Sequence, residues 1–194
     1  MHELVFAPIF YLYGSIPFAF IFTYLVKREV IYEKGTTNVG VANAFGVGGL
    51  FAGSLTVIGE ISKALVPLAI SWYFFEFDLT ISLIFVFSAL LGTNFPIFLK
   101  GKGGMGATIA IWTLLILSPY SLLLLAAIFV LFIKTSKDSY LSAILTYALA
   151  PLVLFLVERS VTFALFAVAT ALLFCLKYNR RRDEFAHWKV LKTE

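Results

Sequence analysis

The stretch IAIWTLLILSPYSLLLLAAIFVLFIKTSKDS, Ile109 to Ser139, decides how this chain is arranged. It carries no charge from Ile109 to Ile133, and Ser118-Pro119 interrupts it near the middle. Proline lacks an N–H and disfavours helix at the preceding residue. The run is therefore either one kinked helix of 29 residues from position 105 to 133, or two short segments near 105–117 and 120–133. The charges on either side choose between them. With two segments, connectors 27–44, 99–104 and 134–139 and the tail 177–194 share one face, which then holds thirteen of the fifteen Lys and Arg. A single helix would send Lys134, Lys137 and Arg180-Arg181-Arg182 to the opposite face. Basic residues collect on the cytoplasmic side of membrane proteins, so two segments are expected, with the N-terminus outside and the C-terminus cytoplasmic.

The rest of the chain has the same character. Of 194 residues 61% are apolar and 13% charged, against ~25% charged in soluble domains. Apolar runs near 4–26, 50–74, 79–98, 105–117, 120–133, 140–157 and 160–177 approach the ~20 residues a helix needs to cross hydrocarbon. We expect an all-α integral membrane protein of about seven transmembrane helical segments, the fourth and fifth short, forming one transmembrane domain over 1–194. The first run follows only His2 and Glu3 and precedes Lys27 and Arg28, so it reads as a retained span rather than a signal peptide.

Several functions lose support at once. One cysteine, Cys175, and two distant histidines, His2 and His187, supply no ligand set for a metal centre. The net charge of +4 is scattered among connectors, which fits membrane orientation better than nucleic acid. No inverted repeat favours a transporter.

Ten of the thirteen glycines fall in two windows, Gly35 to Gly53 and Gly101 to Gly106. The first reads EKGTTNVGVANAFGVGG, with Thr36, Thr37, Asn38 and Asn43; the second reads LKGKGGMGATIA, with Lys100 and Lys102. Glycine admits close approach and positive φ, and backbone N–H groups at a helix start favour an anion. Hydroxyls, amides and lysines add donors, so together the windows describe a phosphate cradle. Close helix packing and juxtamembrane anchoring are the alternative reading. Neither window has nucleotide P-loop spacing.

Three further groups stand out. Glu60 and Lys63 lie three apart in a span, where an ionisable pair is expensive enough to mark either a ligand contact or a structural ion pair. Ser139 and Ser142 lie three apart at a helix start, and Ser139 also suits an N-cap. No histidine accompanies them, which disfavours a serine nucleophile. The tail combines Asn179, Arg180, Arg181 and Arg182 with Phe185 and Trp188, suited to an interfacial helix or an arginine–phosphate contact.

In this order the features resemble the acyl-phosphate:glycerol-3-phosphate acyltransferases of the PlsY type, small bacterial membrane enzymes of phospholipid synthesis. GTTNVGVAN, residues 35–43, is similar to the family's GSGNxGATN; GTNFPIF, residues 92–98, to GHxFPxF; and GKGGMGAT, residues 101–108, to the core of FKGGKGVAT. Glu60 and Lys63 match an acidic residue and lysine three apart, Ser139 and Ser142 the paired serines, and Asn179 and Arg182 the closing HxxNxxR. The chain departs at Gly46, where an arginine is usual, at Thr93 and Leu176, where histidines are usual, and at Met105, which replaces a second lysine.

The resemblance implies an enzyme of the bacterial plasma membrane that moves a fatty acyl group from acyl phosphate to glycerol 3-phosphate, giving lysophosphatidic acid. It implies no cofactor. Lys102 and Asn179 would be catalytic; Thr36, Asn38, Asn43, Gly103, Gly104, Ser139, Ser142 and Arg182 would bind substrate; Glu60 and Lys63 would form a structural ion pair. A divergent homologue that binds a lipid phosphate, with altered substrate or no catalysis, is the alternative. Partners would be membrane lipids and the two substrates; oligomeric state is left open.

Overall fold

The computed structural model describes residues 5–180. They form eight α-helices: α1 (Phe6–Gly14), α2 (Phe18–Lys27), α3 (Val41–Phe74), α4 (Leu79–Asn94), α5 (Ala107–Leu117), α6 (Pro119–Ser136), α7 (Ser139–Glu158) and α8 (Val161–Arg180). Short 3₁₀ turns lie at Ile31–Glu33 and Ile97–Leu99. Among the described residues five stretches are long and apolar enough to cross a membrane: Phe6–Lys27, Val41–Phe74, Leu79–Leu99, Pro119–Ser136 and Ser139–Glu158. Two shorter apolar helices cover Ala107–Leu117 and Val161–Lys177. The chain is thus an all-helical, multi-pass membrane protein.

Three expected boundaries need correction. The first span is broken, because Pro17 donates no hydrogen bond and α1 ends at Gly14. The second begins at Val41, nine residues before the expected 50, and bends where Gly49 adopts φ 78. The segment after Ser118-Pro119 is not short. It runs 18 residues to Ser136, past Lys134, whose methylene stem lets the charged end reach the interface. The break itself is where Pro119 predicts it, with Pro119 at the first helical position of α6.

The chain forms two compact units, residues 1–113 and 114–194. In the first, α1 packs on α4, α2 on α3, and α3 on α4. The α1–α4 contact is made by glycine. A Cβ on Gly14 would stand 2.1 Å from Ala89 O, and one on Gly92 would stand 2.1 Å from Tyr11 O. Without Cβ atoms the two backbones touch, the way transmembrane helices gain packing contacts when lipid offers as apolar an environment as the interface. Phe10, Phe85 and Ala89 fill the core beside this crossing, with Phe6 and Phe75 against them. At the 75–78 turn Asp78 caps α4 by accepting from Ile81 N–H at 2.8 Å, and Ser71 and Ser82 share a hydrogen bond of 2.7 Å.

In the second unit α6 packs on α7 and α7 on α8. Ser118 Oγ and Ser121 Oγ both donate to Glu158 Oε1, tying the start of α6 to the end of α7. Glu158 sits at the negative end of its own helix, which its position beside the positive end of α6 offsets. Tyr147 stacks on Phe174 at 4.4 Å, joining α7 to α8.

Candidate functional site

In the first unit the two glycine windows meet. The 28–40 connector lies against the 95–106 connector: Lys102 Nζ stands 4.8 Å from the centre of the Tyr32 ring, and a Cβ on Gly104 would be 2.5 Å from Val39 O. Ile31, Val39, Ala19 and Ala44 form a buried cluster beneath them, with Leu99 packed against it. The apolar residues between the polar ones are what bring the connectors together.

The windows differ in what their backbones offer. In the first, the loop is closed on itself. Asn43 is buried; its Nδ2 donates to Ile31 O at 2.9 Å and Lys34 O at 3.0 Å, and its Oδ1 accepts from Thr36 N–H at 2.9 Å. Both Asn43 Nδ2 hydrogens are therefore committed to the loop, whose shape this residue holds. Gly35, at φ +60, lies so close that a Cβ would be 2.2 Å from Asn43 Oδ1. Thr37 N–H donates to Lys34 O, and Gly40 N–H to Asn38 O. Thr36 Oγ1 accepts a long bond from Asn38 N–H at 3.4 Å. Asn38 Oδ1 is different: it is buried with no hydrogen-bond partner among the described residues. A ligand hydroxyl would satisfy it, as would a phosphate oxygen with the amide turned over.

The second window is open. Gly101 N–H donates to Pro96 O and Lys102 N–H to Leu99 O. The N–H groups of Gly103, Gly104, Met105 and Gly106, by contrast, have no partner among the described residues. They run directly into the start of α5, whose first-turn N–H groups lack intrahelical partners by geometry. Both middle glycines are required: a Cβ on Gly103 would be 2.1 Å from Thr93 O and 2.3 Å from Pro96 Cδ. Such a succession of N–H groups, with the exposed Lys102 beside it, suits an anion.

Beneath this loop lies the ion pair. Lys63 Nζ donates to Glu60 Oε1 at 2.8 Å and to Thr93 Oγ1 at 3.2 Å, and Thr93 Oγ1 donates on to Gly14 O at 3.0 Å. Lys63 also stands 5.2 Å from the Phe18 ring. The pair is buried, with Lys63 1% exposed, and lines a small cavity with Thr93, Val39, Gly103 and Gly104. The ammonium is thus held by α3, α4 and the end of α1 together.

The structure brings Thr36, Asn38, Asn43, Glu60, Lys63, Lys102, Gly103 and Gly104 into one unit. Ser139 and Ser142 belong to the other unit. Ser139 does not cap its helix; Asp138 does, accepting from Tyr140 N–H at 2.8 Å and Leu141 N–H at 3.0 Å. Ser142 is buried and closes the same turn, donating to Asp138 O at 2.6 Å and pairing with Ser136 Oγ at 3.0 Å. Asn179 lies on α8, whose backbone is described there; Arg182 lies outside the described residues. Leu176, where the motif resemblance leads one to expect histidine, is 61% exposed. Two residues escape sequence reading. Tyr32 has no motif around it, and Thr93 emerges from sequence only as a replaced histidine, not as the acceptor of Lys63.

Comparison with known proteins bears on the family and the fold. The family model described as glycerol-3-phosphate acyltransferase matches residues 4–186, crossing both units. The glycerol-3-phosphate acyltransferase of Rhizobium meliloti is 33% identical over 162 residues, covering 84% of this chain and 78% of its own. Two solved structures of PlsY (YgiH), an integral membrane glycerol 3-phosphate acyltransferase, share the fold. The glycerol 3-phosphate form has a TM-score of 0.79 and the lysophosphatidic acid form 0.78, each at 23% identity and covering 96% of this chain and 92% of the neighbour. The chain belongs to the glycerol-3-phosphate acyltransferase family.

Proposed function

We propose that this protein transfers a fatty acyl group from acyl phosphate to glycerol 3-phosphate in a bacterial plasma membrane. The observation that carries this reading is the run of N–H groups from Gly103 to Gly106, beside Lys102, that have no partner among the described residues, in a chain whose family is named for that acceptor. An acyl phosphate is already activated, so catalysis consists mainly of positioning two anionic heads and offsetting their repulsion. The Gly103–Gly106 backbone and Lys102 would hold one head. Asn38 and Thr36 would orient oxygens, while Asn43 holds their loop. By the motif resemblance Asn179 would be catalytic, and Arg182, Ser139 and Ser142 would bind substrate. The described part of the site holds no histidine, and a substrate phosphate oxygen would take the proton from the attacking hydroxyl as inorganic phosphate leaves. The glycine loops would face the cytoplasm, with the N-terminus outside.

Purified protein incubated with palmitoyl phosphate and labelled glycerol 3-phosphate should yield labelled lysophosphatidic acid. Absence of product with glycerol 3-phosphate binding intact would instead establish a non-transferring homologue, and transfer from acyl-CoA alone would overturn the assigned donor.

A further inference from the structure

Lys102 is exposed, with four rotatable bonds, and an aromatic ring lies beside its ammonium. Its Nζ stands 4.8 Å from the Tyr32 ring centre. Tyr32 stacks on Phe20 at 5.8 Å and 19°, Phe20 stacks on Tyr24 at 5.8 Å and 18°, and the Arg28 guanidinium stands 5.4 Å from Tyr24. Three rings from α2 and the following connector thus form a column with a cation at each end. The base of that column is fixed: Phe20 and Tyr32 both pack on the buried Ala19–Ile31–Val39–Ala44 cluster.

We propose that Tyr32 is a positioning residue for Lys102, holding its ammonium by the ring face at the mouth of the Gly103–Gly106 loop. The proposal rests on the acyltransferase reading above. It matters in this chain because the Gly103–Gly106 run itself carries no cation, so Lys102 is the charge that adjoins it. A tyrosine face attracts an ammonium without neutralising it; a carboxylate in the same place would compete with the substrate's phosphate. The ring therefore orders the lysine and leaves its charge available to the ligand.

The test measures glycerol 3-phosphate binding and acyl transfer on the same detergent-solubilised variants. Tyr32→Phe keeps the ring face and should match the parent. Tyr32→Leu keeps apolar volume but no face, and should weaken glycerol 3-phosphate binding and raise its KM by about three- to tenfold with thermal stability preserved. In a Lys102→Met background Tyr32→Leu should add no further loss, because coupled residues are non-additive. Additive losses, or an unchanged affinity in Tyr32→Leu, overturn the proposal. Because binding is read separately, failure of the parent to transfer acyl groups would sink the assigned reaction while the Tyr32–Lys102 cycle still decides whether this ring orders the lysine.

Discussion

Thr93 Oγ1 accepts from Lys63 at 3.2 Å and donates to Gly14 O at 3.0 Å, so one hydroxyl links α3, α4 and the end of α1. This linkage predicts how the buried pair responds to substitution. Glu60→Gln or Lys63→Met alone leaves an uncompensated charge away from water and should cost about 3–5 kcal/mol. The double replacement should cost less than either single one. Thr93→Val should cost about 1–3 kcal/mol through the lost acceptor. Thermal unfolding in detergent distinguishes these, and a double variant worse than both singles would rule out the pair as the source.

Asn43 supplies the second prediction. Its Nδ2 faces two carbonyl oxygens, Ile31 O and Lys34 O. Asn43→Asp puts a carboxylate oxygen where that donor was, so it should destabilise more than Asn43→Ala, which only deletes bonds worth about 1 kcal/mol each. Stability should move together with activity in both variants. Loss of activity in a protein of parental stability would instead identify Asn43 as a ligand contact.

Sequence makes visible whatever acts through the chain's own neighbourhood. Pro119 announces the α5–α6 break because its ring acts on the adjacent backbone. Glu60 and Lys63 announce a pair because three residues are one helical step. The bend at Gly49 is invisible, since a glycine in an apolar run reads equally as packing or as a hinge. Asp138 and Ser139 are both good caps, and only geometry shows Asp138 doing it. Asn43 is legible as a polar donor, but not the carbonyls that take both its hydrogens. Tyr32 over Lys102 depends on two connectors meeting across 70 positions, which no local pattern encodes.

Three glycines with different surroundings give the third prediction. A Cβ on Gly103 meets backbone at 2.1 Å, so Gly103→Ala should displace the loop and abolish both anion binding and transfer. Gly101 has open space but φ +80, so Gly101→Ala should cost only about 1–2 kcal/mol of strain. Gly46 has neither constraint, and Gly46→Ala should gain about 0.5–1 kcal/mol in its helix. Equal effects at the three positions would remove close packing as their cause.

Lys102 gives the fourth. If its charge holds a substrate phosphate, Lys102→Ala should abolish acyl transfer from palmitoyl phosphate, and Lys102→Arg should retain part of it because the charge survives in a different shape. Full activity in Lys102→Ala would sink the cradle assignment.

Gly46 gives the last. The motif resemblance leads one to expect an arginine there, and in this chain a side chain would enter open space, with no atom within 4 Å of a Cβ at that position. Three residues on, Lys27 Cε lies 4.0 Å from a Cβ at Gly49. Gly46→Arg therefore adds charge beside the first glycine window without a steric penalty. A charge-assisted bond to phosphate is worth about 1.5–3 kcal/mol, so the KM for glycerol 3-phosphate should fall by about tenfold or more. Gly46→Gln, which has reach without charge, separates electrostatics from size. If arginine and glutamine behave alike, the first window does not approach the phosphate; if arginine alone lowers KM, the loss of this cation is a tuning of affinity within an intact site.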